Sequence, residues 1–109
     1  MKKVLNLVVT KKWFNMIVSG AKNEEYREIK TYWIKRLTTN CEVIHDVVEE
    51  TRCGKVLYRP YTHVLFSAGY GKDRPSIEKE IENITIGQPK KGLCPDKWLI
   101  QAFFIIKFK

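Results

Sequence analysis

Between Gly20 and Arg27 the chain sets two bases, two acids and a phenol in one short run, Gly20-Ala21-Lys22-Asn23-Glu24-Glu25-Tyr26-Arg27. With 24–29 extended, Glu25 and Arg27 point to one side and Glu24 and Tyr26 to the other, so one face carries a carboxylate beside a guanidinium. A guanidinium grips a phosphate or carbonyl oxygen through its planar fork. A neighbouring carboxylate accepts from a base edge or serves as a general base. The same residue types also describe a surface ion-pair network, worth about 0–1 kcal/mol per exposed pair.

A second candidate surface is the loop Ser67-Ala68-Gly69-Tyr70-Gly71-Lys72-Asp73-Arg74-Pro75. Its glycines let the backbone approach a ligand, Tyr70 offers a stacking plane, and Lys72 and Arg74 offer phosphate contacts. It lacks the spacing of a P-loop, and it also reads as an ordinary polar turn. Tyr32 and Trp33 offer further stacking planes, although Trp33, on an apolar helix face, is more often core. His63 reads as a strand residue close to the Tyr70 loop and is the remaining candidate for proton transfer. Cys41, His45, Cys53 and Cys94 match no common zinc spacing, so free thiols are expected, with no metal and no cofactor.

The elements that must hold these residues follow from periodicity. Lys3–Val9 alternates as a strand with Leu5, Leu7 and Val9 on one face. Thr10 is placed to cap a helix over Lys11–Ser19 that buries Trp13, Phe14, Met16 and Ile17, and Gly20 is placed to stop it. Lys11 and Lys12 lie in the first turn, where the helix dipole disfavours cations; they either reach into solvent or share an anion with the free amides. Glu24–Ile29 reads as a strand and Thr31–Leu37 as a helix with Trp33 and Leu37 inward, its Lys35 and Arg36 suited to the C-terminal end. From 40 to 50, Asn40 would cap a helix with Val43, Ile44, Val47 and Val48 inward, while Glu42–Val48 also reads as β. Strands are expected over Thr62–Ser67 and Ile77–Ile86, the latter bent near Asn83. The last run is a strand covered on both sides, with Ile100, Ala102, Phe104, Ile106 and Phe108 on one face. These elements amount to a single α+β domain over 1–109, built on a strongly curved sheet or small barrel.

The net charge is +8, and +6 of it falls in residues 1–40. Such an excess favours encounter with polyanions without specifying a fold. The longest apolar stretch, Trp98–Ile106, is broken by Gln101 and far short of the roughly 20 residues a bilayer span needs. No membrane partner is expected. The start Met1-Lys2-Lys3 carries no cleavage pattern, and the three Cys suit a reduced compartment, so the expected location is cytoplasmic.

Gly20-x-Lys22-x-x-Glu25-x-Arg27 resembles the GxKxxExR signature of the ASCH domain, within the PUA-like superfamily. Lys12-Trp13-Phe14 before it, Tyr26-Arg27-Glu28 closing it, Tyr32-Trp33 after it and Gly69-Tyr70 behind a strand are similar to small bacterial and phage-borne members. The resemblance covers about 1–37 and 61–87. It implies a PUA-like small curved β-barrel of about five to six strands with two to three short flanking helices. It also implies a cleft lined by Lys22, Glu25 and Arg27 between the first helix, the motif and the Gly-Tyr loop, binding RNA or a nucleotide. Some members hydrolyse the acetyl amide of N4-acetylcytidine with a Lys and a Thr of this motif. Lys22 stands at the Lys position, but Glu25 stands where the Thr belongs. Other members are described as ribonucleases, a role that a Lys, Glu and Arg trio suits.

Two main functions follow as expectations. The first is an RNA-, nucleotide- or nucleoside-binding module using Lys11, Lys12, Tyr26, Arg27, Tyr70, Lys72 and Arg74. The second is a hydrolase on RNA or a modified nucleoside with Lys22 and Glu25 as the proton-transfer pair. A third is an accessory module whose cleft takes a partner peptide.

Overall fold

The computed structural model describes residues 1–109. Strand β1 (Val4–Val9) buries Leu5, Leu7 and Val9, as its alternation requires, and leads into helix α1 (Lys11–Ser19). Gly20 ends that helix in the left-handed region at φ 85°, its N–H donating to the Ile17 carbonyl, while Lys22 N–H turns back to Met16. Thr10 holds the N-cap position, but its hydroxyl makes no capping bond. A four-residue strand β2 (Glu24–Arg27) and helix α2 (Thr31–Leu37) follow. In α2 the buried pair is Ile34 and Leu37; Trp33, expected inward, is only half-buried and turns to the cleft described below.

Residues 44–52 form helix α3 (Ile44–Arg52), which decides between the helix and strand readings of this stretch. Only Val47 is buried, and Val43, Ile44 and Val48 stay exposed. Asn40 does not cap it: its side chain ties the following loop by donating to the Lys55 carbonyl and accepting from Leu57 N–H. The cap is the Asp46 carboxylate, which accepts from Glu42 N–H at 2.9 Å and Val43 N–H at 3.2 Å. That pair of bonds pulls the Asp46 carboxyl below the usual range.

Strands β3 (His63–Ala68), β4 (Ser76–Gly87) and β5 (Phe103–Phe108) complete one sheet in the order β1-β3-β4-β5-β2. β1 pairs with β3 in parallel, the 53 residues between them forming the crossover that parallel pairing demands. The other pairs are antiparallel. β4 bends the sheet: its first half pairs with β3, its second with β5, and the register shifts between Ile81 and Asn83, where the bend was expected. A 3-10 turn, Asp96–Ile100, precedes β5 and leaves Ile100 exposed, so Ile100 and Ala102 do not join the strand's buried face.

The sheet is curved but open, with β1 and β2 as its two edges and no backbone ladder between them. The architecture is therefore α+β with a five-stranded mixed sheet, in place of a closed barrel. Phe104, Ile106 and Phe108 join β1, β3 and the helices in the main core. Phe103, on the opposite face of β5, packs with Tyr26 and Cys94 in a smaller cluster, so β5 is covered on both sides. No helix is long and apolar enough to cross a membrane.

Candidate functional site

The seam between the two sheet edges is where the motif sits. Arg27, at the end of β2, donates one Nη2 hydrogen across the gap to the Val8 carbonyl of β1 at 2.9 Å and an Nη1 hydrogen to the Tyr26 carbonyl at 2.8 Å. Arg36, from α2, donates to the next outward-facing β1 carbonyl, Asn6, at 2.9 Å. Both guanidiniums lie over the Trp33 ring, each 5.2 Å from its centroid, and Arg36 also covers Tyr32 at 5.8 Å. Two cations are thus held in fixed orientations by one indole and one strand edge.

A cleft of about 780 Å³ opens on this seam, within the size range of small-molecule sites. Its walls carry the aromatics Trp13, Tyr26, Tyr32, Trp33, Tyr70 and Trp98, which include all three tryptophans of the chain. Trp98 lies nearly parallel to Phe103, with centroids 4.9 Å apart, and so forms a fixed plane. Tyr70 stands at the lip, 86% exposed.

Glu25 lines the cleft, yet is 5% exposed. One carboxylate oxygen faces Lys22 Nζ at 3.6 Å and accepts from Tyr26 N–H; the other faces Arg27 Nη1 at 3.6 Å. Lys22 does not line the cleft. Its side chain is 1% exposed, its ammonium donates to the Leu93 carbonyl, and it lies under the rings of Tyr26 and Trp13 at 4.8 and 5.2 Å. Burial holds the Lys22 ammonium below the usual lysine value, an effect that the adjacent Glu25 carboxylate opposes. Behind it, Tyr26 donates its hydroxyl to Glu24 and accepts from Lys90 N–H, and burial pushes the phenol well above its ordinary value. These bonds fasten the 90–94 segment to β2.

The expected alternation of β2 holds, with Glu25 beside Arg27 and Glu24 bonded to Tyr26. Of the residues expected to contact a ligand, Tyr26, Arg27 and Tyr70 line the cleft and the others lie elsewhere. Lys11, Lys12, Lys72 and Arg74 are exposed and outside the cleft lining, Lys12 lying over Trp13 at 4.5 Å. His63 opens β3 while the Tyr70 loop follows its far end, about 16 Å away at 3.3 Å per residue, so the two are not neighbours. Its ring bonds Thr62 instead. Cys94 lines the cleft as a buried free thiol, and burial pushes it above the usual thiol range, away from nucleophilic chemistry. No three His, Cys, Asp or Glu side chains are grouped for a metal.

Sequence reasoning missed Arg36, read only as helix-terminal charge, and the Leu93–Trp98 wall. The signal for Arg36 was present in its i, i+4 spacing from Tyr32; the wall had none, because it arrives through the β2–β5 pairing. Comparison with protein-family models, with curated proteins and with solved structures finds no match to this chain.

Proposed function

We propose that the chain binds a nucleotide, or an unstacked base of single-stranded RNA, in this cleft. One observation carries the reading: aromatic planes surround two oriented guanidiniums and a buried carboxylate. Aromatic rings take the face of a base, the carboxylate accepts from its edge, and the guanidiniums take phosphate. The resemblance to ASCH domains points the same way, and the curved sheet with its side-chain-bridged seam is what an opened PUA-like barrel would present.

A hydrolase reading draws on one further observation, the destabilised ammonium of Lys22 beside Glu25. The Lys22 nitrogen is engaged with Leu93 and shielded by two rings, an arrangement that suits a pin for the cleft floor better than a group meeting substrate.

Because every tryptophan lines the cleft, intrinsic fluorescence reports occupancy directly. Titration with nucleoside monophosphates and short single-stranded RNA at low salt should quench it saturably, and Trp33→Ala should weaken binding at least about tenfold. Saturable quenching without turnover supports the binding reading. RNA or nucleoside turnover that disappears in Glu25→Gln while affinity persists supports the hydrolase. Absence of both, by fluorescence and calorimetry, defeats these readings and leaves a partner peptide as the occupant.

A further inference from the structure

Charge around the cleft is not balanced. Four cations, Lys22, Arg27, Lys30 and Arg36, line it or lie directly beneath it, against two carboxylates, Glu25 and Glu28. Each carboxylate has a lysine 3.6 Å away. Arg36 has no carboxylate within ion-pair distance. Glu25 also faces Arg27 Nη1 at 3.6 Å, so its one charge is shared by Lys22 and Arg27, and the surplus of two positive charges is spread over Lys22, Arg27 and Arg36, the two guanidiniums sharing the Trp33 ring.

Their donors are only partly committed. A guanidinium has five N–H donors. Arg27 directs two at the carbonyls of Tyr26 and Val8 and also faces the Glu25 carboxylate at 3.6 Å, and Arg36 directs two at Asn6 and the Tyr32 hydroxyl. Several donors on each remain for a ligand, and the bonds already made fix the direction in which each fork points. Two such forks in one cleft match the several acceptor oxygens and the charge of about −2 of a phosphate monoester better than the single charge of an internal phosphodiester.

Building on the nucleotide reading above, we propose that the cleft selects a terminal phosphate: the monoester of a free mononucleotide, or of a phosphorylated RNA end, held between Arg27 and Arg36. Nucleosides and internal RNA positions would then be poor occupants.

The test compares each of the four ribonucleoside 5′- and 3′-monophosphates with its nucleoside and with its methyl phosphodiester, and includes inorganic phosphate, all by tryptophan fluorescence and calorimetry. At least one monophosphate should bind about tenfold or more tighter than both its nucleoside and its methyl diester. That preference should shrink as pH falls below the second phosphate ionisation near 6. Arg36→Gln should erase the preference, lowering monophosphate affinity more than nucleoside affinity, and Arg36→Lys, which keeps the charge but loses the fork, should restore it only in part. Circular dichroism and thermal unfolding of both variants check that the fold persists; the wild-type series decides the matter even if one does not fold. Nucleoside binding with no monophosphate bound tighter than both its nucleoside and its methyl diester overturns the terminal-phosphate proposal and leaves the base-binding reading standing. Inorganic phosphate binding that depends on Arg36, without any base-dependent gain, supports the anion clamp and overturns the base reading. Binding of none of these overturns both.

Discussion

Lys22 shows how position changes what a residue type means. As a motif lysine it reads as a proton donor, but with 1% of its side chain exposed it acts on its neighbours first: it neutralises Glu25 and anchors Leu93. Removing one partner of a buried ion pair leaves the other charge uncompensated, so Lys22→Ala should lower stability in urea denaturation by about 3–5 kcal/mol. The double variant Lys22→Met, Glu25→Gln should recover much of that loss. The pH dependence has a definite sign. The folded-state value of Lys22 lies below its unfolded value of 10.5, so between the two the unfolded chain binds more protons and the contribution of Lys22 to stability rises with pH. The stability difference between wild type and Lys22→Met should therefore grow in favour of wild type as pH rises from neutral toward 10.5. A difference that shrinks over that interval would show the ammonium to be better stabilised inside the protein than in water.

Among the elements, α1 and its glycine stop place the motif, whereas α3 stands apart from it. At φ 85° a Cβ on residue 20 is strained although nothing crowds it, so Gly20→Ala should cost about 1 kcal/mol in thermal unfolding and loosen the turn that carries Lys22. Asp46→Ala should speed hydrogen exchange at the Glu42 and Val43 amides without weakening ligand binding, since α3 contributes nothing to the cleft. In the wild type the same fraying should appear as acid titrates Asp46, at a pH below 3.8 because the folded carboxyl is held lower than that. Strands and helices were legible because alternation and 3.6-residue spacing are local, and the cluster Lys22, Glu25 and Arg27 was legible by type. The rest of the site was not. Which face of α2 would meet the seam, and that Leu93–Trp98 would form a wall, depend on pairings such as Glu25 with Ile106 that link residues distant along the chain. α3 misled for a related reason: its Ile44 and Val48 form an apolar stripe by spacing, but only Val47 has anything to pack against.

For the whole molecule, three of the 20 Lys and Arg side chains are paired along β4, where Glu78, Glu80 and Glu82 each hold a lysine: Lys2, Lys109 and Lys107. Lys11, Lys12, Lys72 and Arg74 lie outside the cleft and without carboxylates at ion-pair distance, free to act on a longer ligand. RNA affinity should fall with salt at a log–log slope of about −0.7 per phosphate engaged. Lys11→Ala or Lys72→Ala should reduce that slope while leaving mononucleotide affinity unchanged; an equal loss for both ligands would place these lysines in the cleft itself. The open seam has one more consequence. An unpaired parallel edge strand is a template for another chain, and here the exposed carbonyls of Asn6 and Val8 are already occupied by the two arginines. The groups that would hold a ligand therefore also guard the protein against self-aggregation, so a lineage that gave up the ligand would still be under pressure to keep the arginines, and their persistence among descendants would not by itself prove that binding had been retained.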